Sequence, residues 1–284
     1  MKREISILLI GFLLFGCSNK SSRTSNNISD VIYNGAFLGS TKLINEKINK
    51  GLDINNQYVQ EKTLLIEAVR SNNMDTASEL LKLGADIEKR DLHGRTAIFY
   101  SSSLEILKLL ISHNAEMNII DNNGVSLMNY FVENKPPEYS YLLIDSGLYS
   151  KKINVNLKDE KLGFLLVEKD NKEIIDRIIR INPDIFQSKD KNGNYPIFYG
   201  KSSEVILSLL DIDYNLQEKN NYGEIILGEV YLKAVRNNEL NIIKKIIRKG
   251  VNPKYHSYGE TPLNIAKKNG NKAIIEYLNG ISAK

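Results

Sequence analysis

The residues of this chain that could do chemistry are few, and their spacing narrows what that chemistry is. Cys17 is the only cysteine in 284 residues. It closes an apolar run from Ile5 to Phe15 that follows Lys2 and Arg3. That layout is a positive start, a short apolar core and a small residue, Gly16, before the cut, so cleavage would leave Cys17 at a new terminus. A lone thiol has no disulfide partner within the chain and excludes zinc held by cysteines. The histidines are His93, His113 and His256. Two fall in turns and one just before a helix stop, and no pair has metal-ligand spacing, so no metal is expected. Gly35 and Gly39 stand four apart without the strand–turn–helix pattern and G-x-x-x-x-G-K string of a phosphate loop, and read as tight packing. No cofactor and no enzyme are expected. The chemistry that remains is recognition: Tyr100, Tyr130 and Tyr199 stand at one register of a repeating pattern, and tyrosine is a favoured anchor where surfaces meet.

The elements that position these residues recur. Gly51, Gly84, Asn114, Gly147, Asn182, Asp213 and Gly250 each close an apolar, helix-periodic stretch, at spacings of 33, 30, 33, 35, 31 and 37 residues. All seven are residue types that tolerate the left-handed backbone of a helix C-cap. A period near 33 predicts stacked supersecondary units whose function lies on an extended surface. The second helix of each unit carries apolar residues one turn apart, as in Ile242, Ile243, Ile246 and Ile247, and the slot is repeated by Leu109-Leu110, Leu142-Leu143, Ile178-Ile179 and Leu209-Leu210. No unit can bury such a face alone.

First helices begin on T-P-L-N-I-A at Thr261, T-L-L-I-E-A at Thr63, T-A-I-F at Thr96, S-L-M-N at Ser126 and Y-P-I-F at Tyr195, with degenerate starts near Lys161 and Glu229 and a divergent unit near Asp30. Turns of the form D-x-x-G precede them at Asp91, Asp121 and Asp190. These strings match the T-P-L-H-x-A signature, and the chain resembles the ankyrin repeat family over about residues 29–280. The resemblance implies an all-α solenoid of about eight helix–turn–helix units, starting near residues 30, 63, 96, 126, 161, 195, 229 and 261, with turns projecting as fingers. Two units share a defect: Ser101-Ser102-Ser103 and Gly200-Lys201-Ser202-Ser203 leave about three residues missing from the usual helix–helix connection. Pro136-Pro137 should stop the first helix of the unit between them.

Leu14-Phe15-Gly16-Cys17 is similar to the lipobox of bacterial lipoproteins. The resemblance implies removal of residues 1–16, acylation of Cys17 and a lipid-anchored chain in the cell envelope, with the outer membrane favoured because Ser18, not aspartate, follows. The apolar run of 11 residues is too short to span a bilayer, which needs about 20. Residues 17–28 then form a lipidated tether, in which Ser18 to Asn27 carry no apolar side chain. The net charge of +4 reads as mild and spread out, which does not suggest nucleic acid.

Within the ankyrin pattern the fifth position of the first helix lines the concave side. It is held by Glu67, Tyr100, Tyr130, Leu165, Tyr199, Lys233 and Ile265. The three tyrosines are either anchors for a protein partner or rings filling the space left by shortened links. The expected function is a protein–protein interaction module. A structural envelope spacer, and an enzyme or ligand sensor using the irregular stretch from Pro136 to Asp159, are the alternatives.

Overall fold

The computed structural model describes residues 33–148 and 161–282. Cys17, the leader and tether, and the turn before Lys161 lie outside the described residues. Two layers of helices run through the fold. The inner layer holds Leu64–Arg70, the 3-10 turn Ala97–Tyr100, Leu127–Asn134, Leu162–Lys169, the 3-10 turn Pro196–Tyr199, Ile226–Arg236 and Pro262–Asn269, each packed on the next. The outer layer holds Thr41–Asn49, Met74–Lys82, Leu104–Ser112, Pro137–Asp145, Lys172–Ile181, Ser203–Leu209 and Leu240–Arg248 in the same sequential packing, and Lys272–Ser282 closes the last unit against Pro262–Asn269. The described residues contain isolated β-bridges and no strand, and none of their helices is long and apolar enough to cross a membrane.

Local chemistry sets the inner helix starts. The hydroxyls of Thr63, Ser126 and Thr261 accept the N–H of Ile66, Asn129 and Asn264 at 3.2, 3.1 and 3.2 Å, which satisfies one of the donors a helix N-terminus leaves orphaned. Pro262 follows at the first helical position, where its missing N–H costs nothing. In the outer layer the apolar pairs divide by angle. Leu110, Leu143 and Ile178 are fully buried, whereas their neighbours Leu109, Leu142 and Ile179 are only partly covered, because adjacent helical residues point about 100° apart. Ala68, Ala234 and Ala266 are buried where neighbouring helices approach. One continuous core runs from Ala36 to Leu278.

The repeat departs from expectation in three places. Gly51, Gly84, Asn114, Gly147 and Gly250 have positive φ, but Asn182 sits at φ −149 and Asp213 is not left-handed. Asn182 precedes Pro183, which drives it toward extended backbone. The defect in two units lies in the inner helix itself: a single 3-10 turn replaces the helix, and Ser103 and Ser202 then cap the outer helices by accepting from Ile106 and Val205. The helix expected to begin near Glu229 starts a turn earlier, at Ile226 with Ile225 as its N-cap, and still ends at Arg236, so Lys233 keeps the fifth register position beside the buried Ala234, as Glu67 does beside Ala68. Pro136 and Pro137 separate their two helices as expected, Pro137 opening the outer one.

Candidate interaction surface

The fingers at Asp91, Asp121, Asp190 and Asn220 are each closed by the side chain of their first residue. One carboxylate oxygen of Asp91 accepts the N–H groups of His93 and Arg95 at 2.9 and 3.0 Å, and Asp121 does the same for Asn123 and Val125. Asp190 serves Asn192 and Asn194, and the Asn220 carbonyl serves Tyr222 and Glu224. These are Asx turns built within five residues of sequence. Successive fingers are then stapled together. The Leu92 N–H donates to the Gln60 carbonyl, Asn122 to His93 and Asn221 to Asn192, at 3.0, 2.9 and 2.8 Å. The Asn122 and Asn221 side-chain amides add bonds to the carbonyls of Leu92 and Lys191, and Arg90 bridges the carbonyls of Gly94 and Ile120. The result is a ledge of hairpins with exposed tips at Val59, Leu92, Tyr222 and Tyr258.

The second carboxylate oxygen of Asp91 and of Asp190 reaches the register-five tyrosine of its own unit, whereas that of Asp121 is taken by Arg95. The Tyr100 hydroxyl donates to Asp91 at 2.5 Å, and the Tyr199 hydroxyl donates to Asp190. Burial, together with that hydrogen bond and the neighbouring negative charge, pushes both phenols above their ordinary range. Tyr130 has a different role. Its ring lies 5.6 Å from that of Phe99 and 4.6 Å from the Arg95 guanidinium, and Arg95 in turn binds Asp121 through Nε and Nη2 at 3.0 and 2.8 Å. Burial pushes the Asp121 carboxyl up, but Arg95 and the two turn N–H groups outweigh it and hold it below the usual range. The three tyrosines therefore share a register without sharing a job: two lock the truncated units to their own fingers, and one stacks against a neighbour's arginine. Arg95 and Asp121 were not legible as a pair, since they stand 26 residues apart. At the same register Glu67 is fully buried and accepts from Arg70 and Tyr33, both at 2.6 Å. Burial raises its carboxyl, and those partners pull it net below the usual range.

The last finger is built differently. His256 stands where the others have Asp or Asn, and Tyr258 and Gly259 both take positive φ, 49° and 78°. Ser257 and Glu260 exchange both main-chain hydrogen bonds, the two-residue hairpin that demands positive φ at both central positions. Between this finger and the one at Asn220–Gly223 lies an open groove of about 450 Å³ lined by Tyr222, Tyr255, Tyr258, Lys219, Lys254 and Glu224, among others. Tyr255 forms part of its lining. An added Cβ on Gly228 would meet the Tyr255 ring at 2.5 Å, and the Tyr255 hydroxyl donates to Glu229 at 2.9 Å. Burial and that bond push its phenol up to about 12. Tyr222 and Tyr258 are 67% and 84% exposed. Sequence reading passed over them, although both stand directly before the turn glycine, where other fingers carry His93, Asn123 and Asn192. Among the described residues no group of three or more His, Cys, Asp or Glu side chains could hold a metal ion.

Residues 32–121 match the family model described as ankyrin repeats in three copies. A putative ankyrin repeat protein of fowlpox virus is 30% identical over 242 residues, covering 84% of this chain and 40% of that protein. An ankyrin repeat-containing protein of Schizosaccharomyces pombe is 27% identical over 168 residues, covering 53% of this chain and 81% of that protein. A putative ankyrin repeat protein of Acanthamoeba polyphaga mimivirus is 27% identical over 195 residues, covering 65% of this chain and 21% of that protein. The chain spans less than half the length of most of these relatives. The helical layers and the finger turns, together with the matched repeats, make the fold an all-α ankyrin-repeat solenoid.

Proposed function

We propose that this ankyrin-repeat solenoid is a protein-interaction module, held at the bacterial cell envelope by lipid on Cys17, that presents its finger ledge to a protein partner. The stapled ledge supports the reading best. The hairpins at Asp91, Asp121 and Asn220 are each tied to the one before them prior to any partner's arrival, so little ordering entropy opposes binding there. Its tips carry Val59, Leu92, Tyr222 and Tyr258, each more than half exposed, and exposed apolar groups aligned along one edge suit an interface. Tyr100 and Tyr199 support that ledge from behind, and Tyr199 is exposed enough to touch a partner as well. The envelope placement rests on residues 1–17 alone, since the matched relatives are viral and fungal proteins.

Two experiments test the two halves. A photo-crosslinking side chain at Leu92 should capture a discrete protein partner in cells, and the same group at Lys108 on the outer helix layer should not; equal labelling from both positions refutes the ledge. Cys17→Ser should move the protein from the membrane fraction to the soluble fraction and abolish palmitate labelling. Unchanged fractionation refutes the anchor without touching the ledge. Protease treatment of intact and lysed cells then assigns the face to which the array points.

A further inference from the structure

We infer that the groove between the fingers at Asn220–Gly223 and His256–Gly259 seats an extended, carboxylate-bearing peptide segment of the partner, an inference that rests on the interaction reading above. The first ground is a missing staple. In the fingers at Asp91, Asp121 and Asn220, the N–H of the second turn residue donates to the carbonyl of the preceding finger. In the last finger that residue is Ser257, whose N–H turns inward to Glu260. Among the described residues the Tyr222 carbonyl thus receives no N–H from its neighbour, unlike its counterparts His93 and Asn192. The cause is local. His256 has no side-chain oxygen to build the Asx turn, so the chain closes through the tighter hairpin instead.

The opening has walls suited to an extended chain. Main chain of two hairpins forms its sides, and an incoming strand can offer its own N–H to Tyr222 where Ser257 does not. Tyr222 and Tyr258 are the two most exposed large apolar side chains among the described residues. Tyr258 is held at φ 49, a conformation that a bulky residue rarely takes, and strain of this kind clusters at binding sites. Tyr255 is braced between Gly228 and Glu229 and does not need to order on binding.

Charge selects the occupant. Lys219, Lys254 and His256 line the groove against one carboxylate, Glu224. That carboxylate already accepts from the Asn220 amide at 2.8 Å. In the sequence, residues 240–284 carry nine Lys and Arg side chains against two Glu, of which Lys254 lines the groove while Lys245 and Lys249 are paired with Asp211 and Asp213. The charge of the chain is therefore concentrated at one end, which corrects the reading of it as spread out. A field of that sign steers carboxylates toward the groove. The peptide is favoured over nucleic acid because the basic residues flank a cleft between hairpins and form no continuous stripe.

The test uses the full-length protein in detergent and fluorescein-labelled decapeptides alternating Glu with Val, Gln with Val or Lys with Val, read by anisotropy. The Glu peptide should bind, the other two at least tenfold more weakly. The triple change His256→Asp, Ser257→Asn, Tyr258→Asn rebuilds the Asp-Asn-Asn-Gly turn found at 121–124 and should close the groove. It should cut Glu-peptide affinity at least tenfold while leaving the melting temperature unchanged or higher. Tyr222→Ser with Tyr258→Ser alters only exposed side chains and should produce the same loss if the triple variant fails to fold. Equal binding of the three peptides, or full affinity in the closed variant, overturns the inference. Tighter binding of oligo-dT, lost in the same variants, overturns it in favour of nucleic acid. A partner crosslinked from Leu92 without Glu-peptide binding refutes the groove alone; the absence of both refutes the interaction reading too.

Discussion

Tyr100→Phe removes one oxygen and nothing else, and the structure says what that oxygen does. The ring keeps its place in the inner layer, while Asp91 loses the donor on its second carboxylate oxygen. Asp91 is 4% exposed, and its first oxygen keeps the N–H groups of His93 and Arg95. A hydrogen bond to a charged group contributes about 1.5–3 kcal/mol. Tyr100 is only half-buried, so water reaches the vacated site in part and the lower end, about 1.5–2 kcal/mol, applies. For an array of this length that corresponds to a fall in Tm of roughly 3–8 °C. The assay is urea and thermal melting followed by circular dichroism, run as a double-mutant cycle with Asp91→Asn. A coupling of about 1 kcal/mol or more is expected. Partner capture from Leu92 should survive below the melting transition. An unchanged Tm with coupling near zero would refute the locking role, and loss of partner binding at full stability would return Tyr100 to the interface.

Other expectations follow from the same contacts. Arg95→Met should destabilise by about 3 kcal/mol, because it leaves the buried Asp121 carboxylate without its cation; a double-mutant cycle with Asp121→Asn in urea melts measures it. Asp121 and Glu67 both have carboxyls held below their ordinary values, so the stability they contribute is present above the unfolded pKa and is lost as pH falls through the folded ones. Melts from pH 7 down to 3 should show that loss, and Arg95→Met should flatten it. Gly163→Ala should destabilise by about 1–3 kcal/mol, since an added Cβ would lie 2.5 Å from the Ile185 carbonyl oxygen, a main-chain atom that cannot swing aside. Truncation after Glu260 should produce aggregation on size-exclusion chromatography, because Ile265, Ala266, Ile274 and Leu278 bury against the preceding unit; a soluble, fully helical truncation would contradict the capping role of the last unit.

What the sequence by itself determined here is everything closed over a few residues. Thr63, Ser126 and Thr261 cap helices through bonds to residues three positions on, and Asp91, Asp121 and Asp190 build their turns within five. Such bonds depend on residue type and spacing alone, so the period, the helix starts and the finger turns were legible. Where an N-cap hydroxyl is missing, as at Ile225, the start was read four residues late. The tertiary structure decided what the other carboxylate oxygen binds, which tyrosine locks and which stacks, and where the ledge opens. Several of those contacts join residues from neighbouring units, such as Arg95 with Asp121 and Tyr255 with Glu229, each pair 26 residues apart. Their existence depends on how far each unit is rotated against the next, a quantity set by the packing of whole helices. Tyr100 and Tyr222 show the consequence: both stand beside a finger, yet one is tied to the aspartate of its own unit, while the other is largely exposed and its hydroxyl reaches only Asn192 of the preceding finger, at 3.4 Å.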